Sequence, residues 1–253
     1  LAAHGEVDGA YATLARTCEQ FRESSLRAQR IAWCLTELAR LQRERRGADA
    51  ARAVLREALR VQPGYRGAME GLADLAHADA DWKEAARLYR SIATDAHPDL
   101  YLRLAEVHRA LGDPSAAAAC EQAFLRVAAR PQAEALHAHP LALVYAARPS
   151  TRDEALGVAL RDAGRRPSVE SYDVLSWVRF RRGELHEALA ASDSASRWGA
   201  PSPTMQYRRA RILQALGRGG EAAVLMREAL RRVDLLEPEA RLEVANGTRE
   251  SDA

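Results

Sequence analysis

The sequence contains very little lysine or asparagine. Lys83 is the only lysine, so every other basic residue among the 37 is an arginine, and Asn246 is the only asparagine. This bias towards alanine and arginine is typical of coding sequences rich in GC and favours a bacterial source. The formal net charge is only +2, because 35 acidic residues offset the basic ones. The abundance of arginine is therefore not in itself evidence for nucleic-acid binding.

Cysteine is also scarce, and its spacing shows no motif. Cys18, Cys34 and Cys120 are an odd number, lie far apart and form no Cys-x-x-Cys pair. We therefore expect them to be small core residues, not a disulfide framework or metal ligands.

Long apolar runs are absent as well. Arginine or a carboxylate interrupts every window of about 18 residues, which excludes a transmembrane helix within this chain. The segment after Leu1 shows no basic-then-apolar leader, so no compartment is assigned from it and a cytoplasmic location is the default expectation. At 47% hydrophobic residues the chain can bury a core over most of its length. The polar segment 241–253 is expected to be a disordered tail.

An alanine recurs along the chain at intervals of about 34 residues. The recurring positions are Ala10, Ala51, Ala85, Ala117, Ala155, Ala188 and Ala222. Four of them follow a glycine by five residues, as Ala188 follows Gly183, and a proline closes most units. A glycine that turns the chain and a proline that stops a helix delimit a helical hairpin.

Each unit resembles the tetratricopeptide repeat in its key residues. A leucine and a small residue, such as Leu104-Ala105 or Leu175-Ser176, precede the glycine turn, the alanine and the proline. The resemblance is strongest at 98–131 and 169–201. It implies an all-α fold, a right-handed α-solenoid of six to seven antiparallel helix-turn-helix hairpins. It also implies one domain over 1–240 that starts within a repeat, and a concave groove lined by the first helix of each hairpin. Pro131 and Pro140 predict a break near the fourth full hairpin.

The family's groove positions carry aromatic residues and arginines in this chain. They are Trp177, Phe180 and Arg181, then Tyr207, Arg208 and Arg211, and in an earlier hairpin Arg103 and Arg109. Tryptophan, tyrosine and arginine dominate binding hot spots. We expect Trp177 and Phe180 to be exposed anchors and the arginines to pair with carboxylates of a ligand. The alternatives are that the two rings pack against a neighbouring hairpin and that the arginines are solvated surface charges.

The resemblance implies a scaffold or adaptor that binds a segment of a partner protein in the groove. Some family members clamp a C-terminal carboxylate with lysines and asparagines, but the single lysine and asparagine of this chain lie off the groove positions. An acidic or apolar-anchored segment held by arginines is the expected ligand. Two alternatives remain. One is a structural or oligomerising module whose groove is filled by its own missing segment or by another copy, and the other is a regulatory domain that binds RNA or a small ligand.

The sequence shows no motif for catalysis, a cofactor or a metal. The segment Gly217-Arg-Gly-Gly-Glu221 resembles a phosphate-binding loop, but it follows a helix and lacks the lysine, so we interpret it as a repeat turn. On a helix, His137 and His139 would lie about 200° apart and could not share a metal. We therefore expect no enzyme, no cofactor, no membrane insertion and no nucleic-acid partner, and self-association stays open.

Overall fold

The described part of the protein is built from α-helices. The computed structural model describes residues 4–23, 27–199, 201–232, 236 and 240, so the predicted tail at 241–253 lies outside the described residues. The helices are α1 His4–Glu23, α2 Ala28–Arg46, α3 Ala48–Val61, α4 Arg66–Ala78, α5 Trp82–Ile92, α6 Asp99–Ala110, α7 Pro114–Ala128, α8 Ala138–Ala146, α9 Arg152–Arg165, α10 Val169–Arg182, α11 Leu185–Ser196, α12 Pro203–Ala215 and α13 Gly219–Leu230, with a 3₁₀ helix at Pro149–Thr151. Within the described ranges, none of these helices combines the length and the apolar character needed to cross a bilayer.

The chain divides into two compact units. Unit 1 comprises residues 1–124 and unit 2 comprises residues 125–253, and the division falls within α7. In unit 1, α2 packs against α3 and α4 against α5; in unit 2, α8 packs against α9, α10 against α11 and α12 against α13. Successive helical hairpins therefore make up each unit, and the predicted all-α helical-repeat fold is confirmed. The single domain over 1–240 stays a prediction.

The turns explain why glycine and alanine recur five residues apart. In the three described hairpins with this spacing of five, the turn contains a glycine at positive φ, namely Gly112, Gly183 or Gly217. After Gly183, the Glu184 N–H donates to the Arg179 carbonyl at 3.0 Å, which satisfies an orphan carbonyl at the end of α10. The Glu184 carbonyl then accepts the Ala188 N–H at 2.9 Å, and Ala188 is fully buried where the two helices meet. A side chain larger than a methyl group would hold these helices apart.

One hairpin makes the same turn without glycine. Ala80, between α4 and α5, has a φ of 58°, a value that disfavours any residue with a Cβ atom. The following Asp81 N–H donates to the Ala76 carbonyl at 2.9 Å, and the buried Ala85 takes the usual place five residues after Ala80. The hydrogen-bond pattern of the turn is therefore kept at the expense of backbone strain.

The predicted break near Pro140 is present. Helix α7 ends at Ala128 and α8 begins at Ala138, so Pro140 falls in the first turn of α8, where its missing N–H costs no hydrogen bond. Within unit 2 the intervening segment is tied to α9, because Glu134 accepts two hydrogen bonds from Arg161 at 2.9 and 2.8 Å. Those bonds hold the pKa of Glu134 below its usual value.

The expectation for the cysteines is wrong for two of the three. Cys18 on α1 and Cys34 on α2 are buried, as expected, but they form a disulfide with their Cα atoms 5.7 Å apart. The pairing arises because α1 packs directly against α2 and brings residues 16 positions apart into contact. Cys120 is a free, half-buried cysteine.

Candidate peptide-binding surface

Helices α10 and α12 of unit 2 carry six of the eight predicted groove residues, and side-chain caps define where both helices begin. At the start of α10, the Ser171 N–H donates to Ser168 Oγ at 3.1 Å and the Ser168 N–H donates back to Ser171 Oγ at 2.9 Å. At the start of α12, Pro203 occupies the first position and Ser202 accepts from the Met205 N–H at 3.3 Å. Such caps set the register of each helix and therefore the direction in which its side chains point.

The expectation that Trp177 is exposed is wrong. Only 3% of Trp177 is accessible, because its ring lies beneath neighbouring side chains of unit 2. It stacks on Phe180 with the ring centroids 4.9 Å apart and the planes 22° from parallel. The guanidinium of Arg208 lies 5.5 Å from the Trp177 ring centroid and that of Arg181 lies 5.9 Å away. Trp177 therefore lies beneath the surface of unit 2, where it supports Phe180, and its ring is not accessible to a ligand.

Arg208 is also buried and forms an ion pair inside unit 2. It is 4% exposed and donates from Nη1 to the carboxylate of Asp173 on α10, which is 6% exposed. Burial raises the pKa of Asp173 above its usual value, and the charge of Arg208 opposes that rise. The pair therefore joins α10 to α12, and Arg208 does not present its charge to solvent as a solvated surface residue would.

Tyr207 belongs to the core of unit 2. It is 3% exposed and packs with Ala229 of α13 and with Leu236 and Ala240 beyond it. Its hydroxyl accepts a hydrogen bond from Arg211 Nη1 at 2.9 Å. Tyr207 consequently holds Arg211 in place and has almost no surface of its own for a ligand.

Three of the predicted residues reach the surface of unit 2. Phe180, Arg181 and Arg211 are half-buried, and Arg181 donates to the carbonyl of Ala147 at the end of α8 over 3.4 Å. Two guanidinium groups and one aromatic ring thus contribute to the surface of α10 and α12.

Arg103 and Arg109 belong to unit 1, on α6. Arg103 lies 3.8 Å from Glu106, and Arg109 is bonded to Glu121. About half of each arginine side chain is exposed. Glu106 also lies 3.6 Å from His77, so the charges of this face are more evenly balanced than those on α10 and α12.

Reasoning from the sequence missed a second charge cluster in unit 2. Asp162 of α9 is 4% exposed and lies 2.7 Å from both His139 Nε2 and Arg166 Nη2. His139 thus pairs with a carboxylate, while His137 is the N-cap residue of α8. Among the described residues, no three histidine, cysteine or acidic side chains are grouped so that they could hold a metal ion.

The helices and their order are similar to those of solved repeat proteins. The crystal structure of a tetratricopeptide repeat protein from Parabacteroides merdae superimposes with a TM-score of 0.59 and 16% identity, over 88% of this chain and 93% of that one. The fold is that of tetratricopeptide repeat proteins. Helices α10 and α12 are the first helices of their hairpins.

Two further structures are similar at lower scores. BtubC from P. vanneervenii has a TM-score of 0.47 and 15% identity, over 89% of this chain and 90% of that one. The assembly chaperone of RpL4, Acl4, has a TM-score of 0.48 and 16% identity, over 87% and 98%. No protein-family model and no curated protein sequence matches the chain. At these identities a likeness to solved structures concerns the fold alone.

Proposed function

We propose that the protein is a non-catalytic scaffold that binds a segment of another protein on the face of unit 2 formed by α10 and α12. The observation that carries the proposal is that Phe180, Arg181 and Arg211 are half-buried on these two helices and that the Phe180 ring stacks on the buried Trp177. Aromatic and arginine side chains on a rigid support are the usual composition of protein-binding hot spots. The tetratricopeptide repeat fold supplies no enclosed catalytic centre but offers its first helices as a binding face.

The residues divide into those that touch the ligand and those that hold them. Phe180 contacts an apolar side chain of the bound segment, and fully burying such a side chain contributes roughly 1.5 to 3 kcal/mol. Arg181 and Arg211 bind its carboxylates, which sets orientation more than affinity. Trp177 stacks beneath Phe180, and the hydroxyl of Tyr207 restrains Arg211.

Arg208 acts with Trp177 as part of the support. Its guanidinium lies over the indole ring, and its ion pair with Asp173 joins the two helices that form the face. On unit 1, Arg103 and Arg109 are proposed to bind further carboxylates through the exposed part of each side chain.

Selection from a displayed library of short random peptides tests the proposal. Peptides selected on the wild-type chain should carry an apolar residue together with aspartate or glutamate. Their affinity should fall by about tenfold or more for the variant Phe180→Ala/Arg181→Glu/Arg211→Glu. Arg197→Glu, an exposed charge reversal at the end of α11, is the matched control and should leave affinity unchanged. Equal affinities of the triple variant and the control would refute this surface.

The oligomerising module stays an alternative hypothesis. Light scattering over a range of concentrations distinguishes it from the scaffold, because a scaffold is expected to remain monomeric without its ligand. A dimer or larger assembly that the Phe180→Ala/Arg181→Glu/Arg211→Glu variant abolishes would assign the face of α10 and α12 to self-association.

A further inference from the structure

A concave surface lies in unit 1, where α1 ends, α2 begins and α4 begins. It is an open cleft of about 540 Å³, a size that accommodates a few side chains of a ligand. We call it the α2 cleft. Its lining residues are Phe21, Arg27, Gln29, Arg30, Trp33 and Tyr65. Three of the six are aromatic and two are arginines, so the composition again matches that of binding hot spots.

The aromatic rings are placed by two cores that meet at this point. Phe21 packs against the cluster of Cys18, Cys34 and Leu38 between α1 and α2. Tyr65 packs against the core shared by α2, α3 and α4. Trp33 on α2 lines the same cleft and remains 49% exposed. The fold therefore anchors two walls of the cleft and leaves the largest ring available to a ligand.

Gly67 helps to set the position of the Tyr65 wall. A Cβ atom at residue 67 would come within 3.0 Å of Tyr65 Cε1 and 3.6 Å of Thr36 Cγ2. The 3.0 Å contact is tight, so the Tyr65 ring would have to move by a few tenths of an ångström to admit a side chain at residue 67. The absence of a side chain at Gly67 is thus part of the geometry of the cleft.

Two arginines line the cleft. Burial raises the pKa of the Tyr65 hydroxyl, and Glu37 of α2 lies close enough to Tyr65 to add to that rise. Arg27 and Arg30 are exposed, and no carboxylate is among the described lining residues. The first turn of α2 also contains no acidic residue. Exposed guanidinium groups beside aromatic rings are complementary to a ligand that combines an apolar group with a carboxylate.

We propose that the α2 cleft binds a segment of a partner protein in which an apolar side chain lies next to an aspartate or glutamate. The apolar side chain packs on Trp33 between Phe21 and Tyr65, and the carboxylate binds Arg27 or Arg30. Single-stranded nucleic acid fits the cleft less well, because it needs a continuous track of basic residues along its backbone and the cleft offers two. This surface lies on unit 1 and does not depend on the proposed site of unit 2.

Peptide selection on the whole chain, followed by sorting on variants, tests the proposal. Peptides that bind the α2 cleft should lose about tenfold or more in affinity on Trp33→Ala and keep their affinity for Phe180→Ala/Arg181→Glu/Arg211→Glu. Trp198→Ala is the matched control, since Trp198 is 58% exposed and lies in unit 2. Gly67→Ala should also weaken the binding of these peptides. Helix α4 should stay helical in this variant, because alanine favours a helix more than glycine does.

A double-mutant cycle tests the role of charge. Arg30→Glu should weaken a selected peptide by about tenfold, and this loss should vanish when the peptide's carboxylate is replaced by an amide. Arg60→Glu, on the exposed face of α3, is the control for a change of net charge. A thermal unfolding curve of each variant shows that it remains folded.

Four results would overturn the proposal. The first is that no selected peptide binds Trp33→Ala more weakly than the wild type. The second is that the peptides sensitive to Trp33→Ala lack a carboxylate and bind Arg30→Glu as well as they bind the wild type. The third is binding of a pool of single-stranded RNA that Trp33→Ala abolishes. The fourth is a dimer, seen by sedimentation, that disappears on Trp33→Ala. Failure here leaves the peptides that depend on Phe180 unaffected, so the two sites are tested separately.

Discussion

Replacing Arg208 by alanine should destabilise unit 2 strongly, because Arg208 is a buried structural residue. The substitution leaves the Asp173 carboxylate without its guanidinium in a place where only 6% of Asp173 is exposed. It also removes the guanidinium from the face of Trp177. An arginine that merely contacted a ligand from the surface could be removed with little effect on stability.

The expected magnitude follows from the burial of both partners. Breaking a buried ion pair by removing one partner costs about 3 to 5 kcal/mol. Loss of the contact with the Trp177 ring adds about 1 kcal/mol. Protonation of Asp173 limits the total, since the carboxyl can become neutral when its counter-charge is gone. We therefore expect Arg208→Ala to lower the free energy of unfolding by about 3 to 5 kcal/mol at neutral pH.

The destabilisation should depend on pH in a defined direction. Burial already raises the pKa of Asp173 in the native protein, and without Arg208 the rise is larger. A carboxyl whose pKa is higher in the folded state destabilises that state as pH rises from the unfolded pKa through the folded one. The difference between variant and wild type should thus be largest at neutral pH and shrink as pH falls towards about 4.

Urea denaturation followed by far-ultraviolet circular dichroism, repeated at several pH values, measures these differences. Arg211→Ala is the control and should change the unfolding free energy by less than about 1 kcal/mol, because Arg211 is half-buried. The apolar double variant Asp173→Leu/Arg208→Met should cost less than Arg208→Ala, since it leaves no unpaired charge. A loss below about 1 kcal/mol for Arg208→Ala, unchanged by pH, would refute the assignment of Arg208 as a buried support.

Three further outcomes are expected from the turns, the 129–137 segment and the disulfide. Ala80→Gly should raise, and Gly183→Ala lower, the unfolding free energy by about 0.5 to 1 kcal/mol in urea titrations, because both sites need positive φ. Glu134→Gln should destabilise unit 2 at neutral pH, and by thermal unfolding the difference should shrink as pH falls below about 4.3, the ordinary glutamate value, and vanish once the pH lies below the lowered pKa of the folded carboxylate. Cys18→Ala/Cys34→Ala should lower the stability of unit 1 by about 3 kcal/mol, and a reducing agent should affect only the wild type; equal stabilities would contradict the disulfide.

The repeats could be predicted because their signals are local. A glycine at positive φ, a buried alanine five residues later and helical spacing of apolar residues act within one hairpin, so the sequence shows them directly. The break before Pro140 could also be predicted, because prolines interrupt a helix where they stand in the sequence. The exposure of Trp177 could not be predicted in this way, since it depends on where α12 places Arg208 relative to α10.

Two of the missed features, the disulfide and the α2 cleft, are also products of packing between helices. The odd number of cysteines argued against pairing, yet α1 and α2 bring Cys18 next to Cys34. Trp33 is one tryptophan among four in the composition, and only the junction of α1, α2 and α4 sets it beside two other rings and two arginines.

The sequence by itself determined the all-α hairpin architecture and the positions of its turns, because backbone conformation and helical periodicity are encoded in neighbouring residues. It also determined which helices would carry arginines and aromatic rings. Only the tertiary structure decided which of these side chains reach the surface. Trp177, Tyr207 and Arg208 are buried by residues from other helices, while Phe180, Arg181 and Trp33 keep part of their surface. Burial depends on contacts between helices distant in sequence, and no local pattern specifies those contacts.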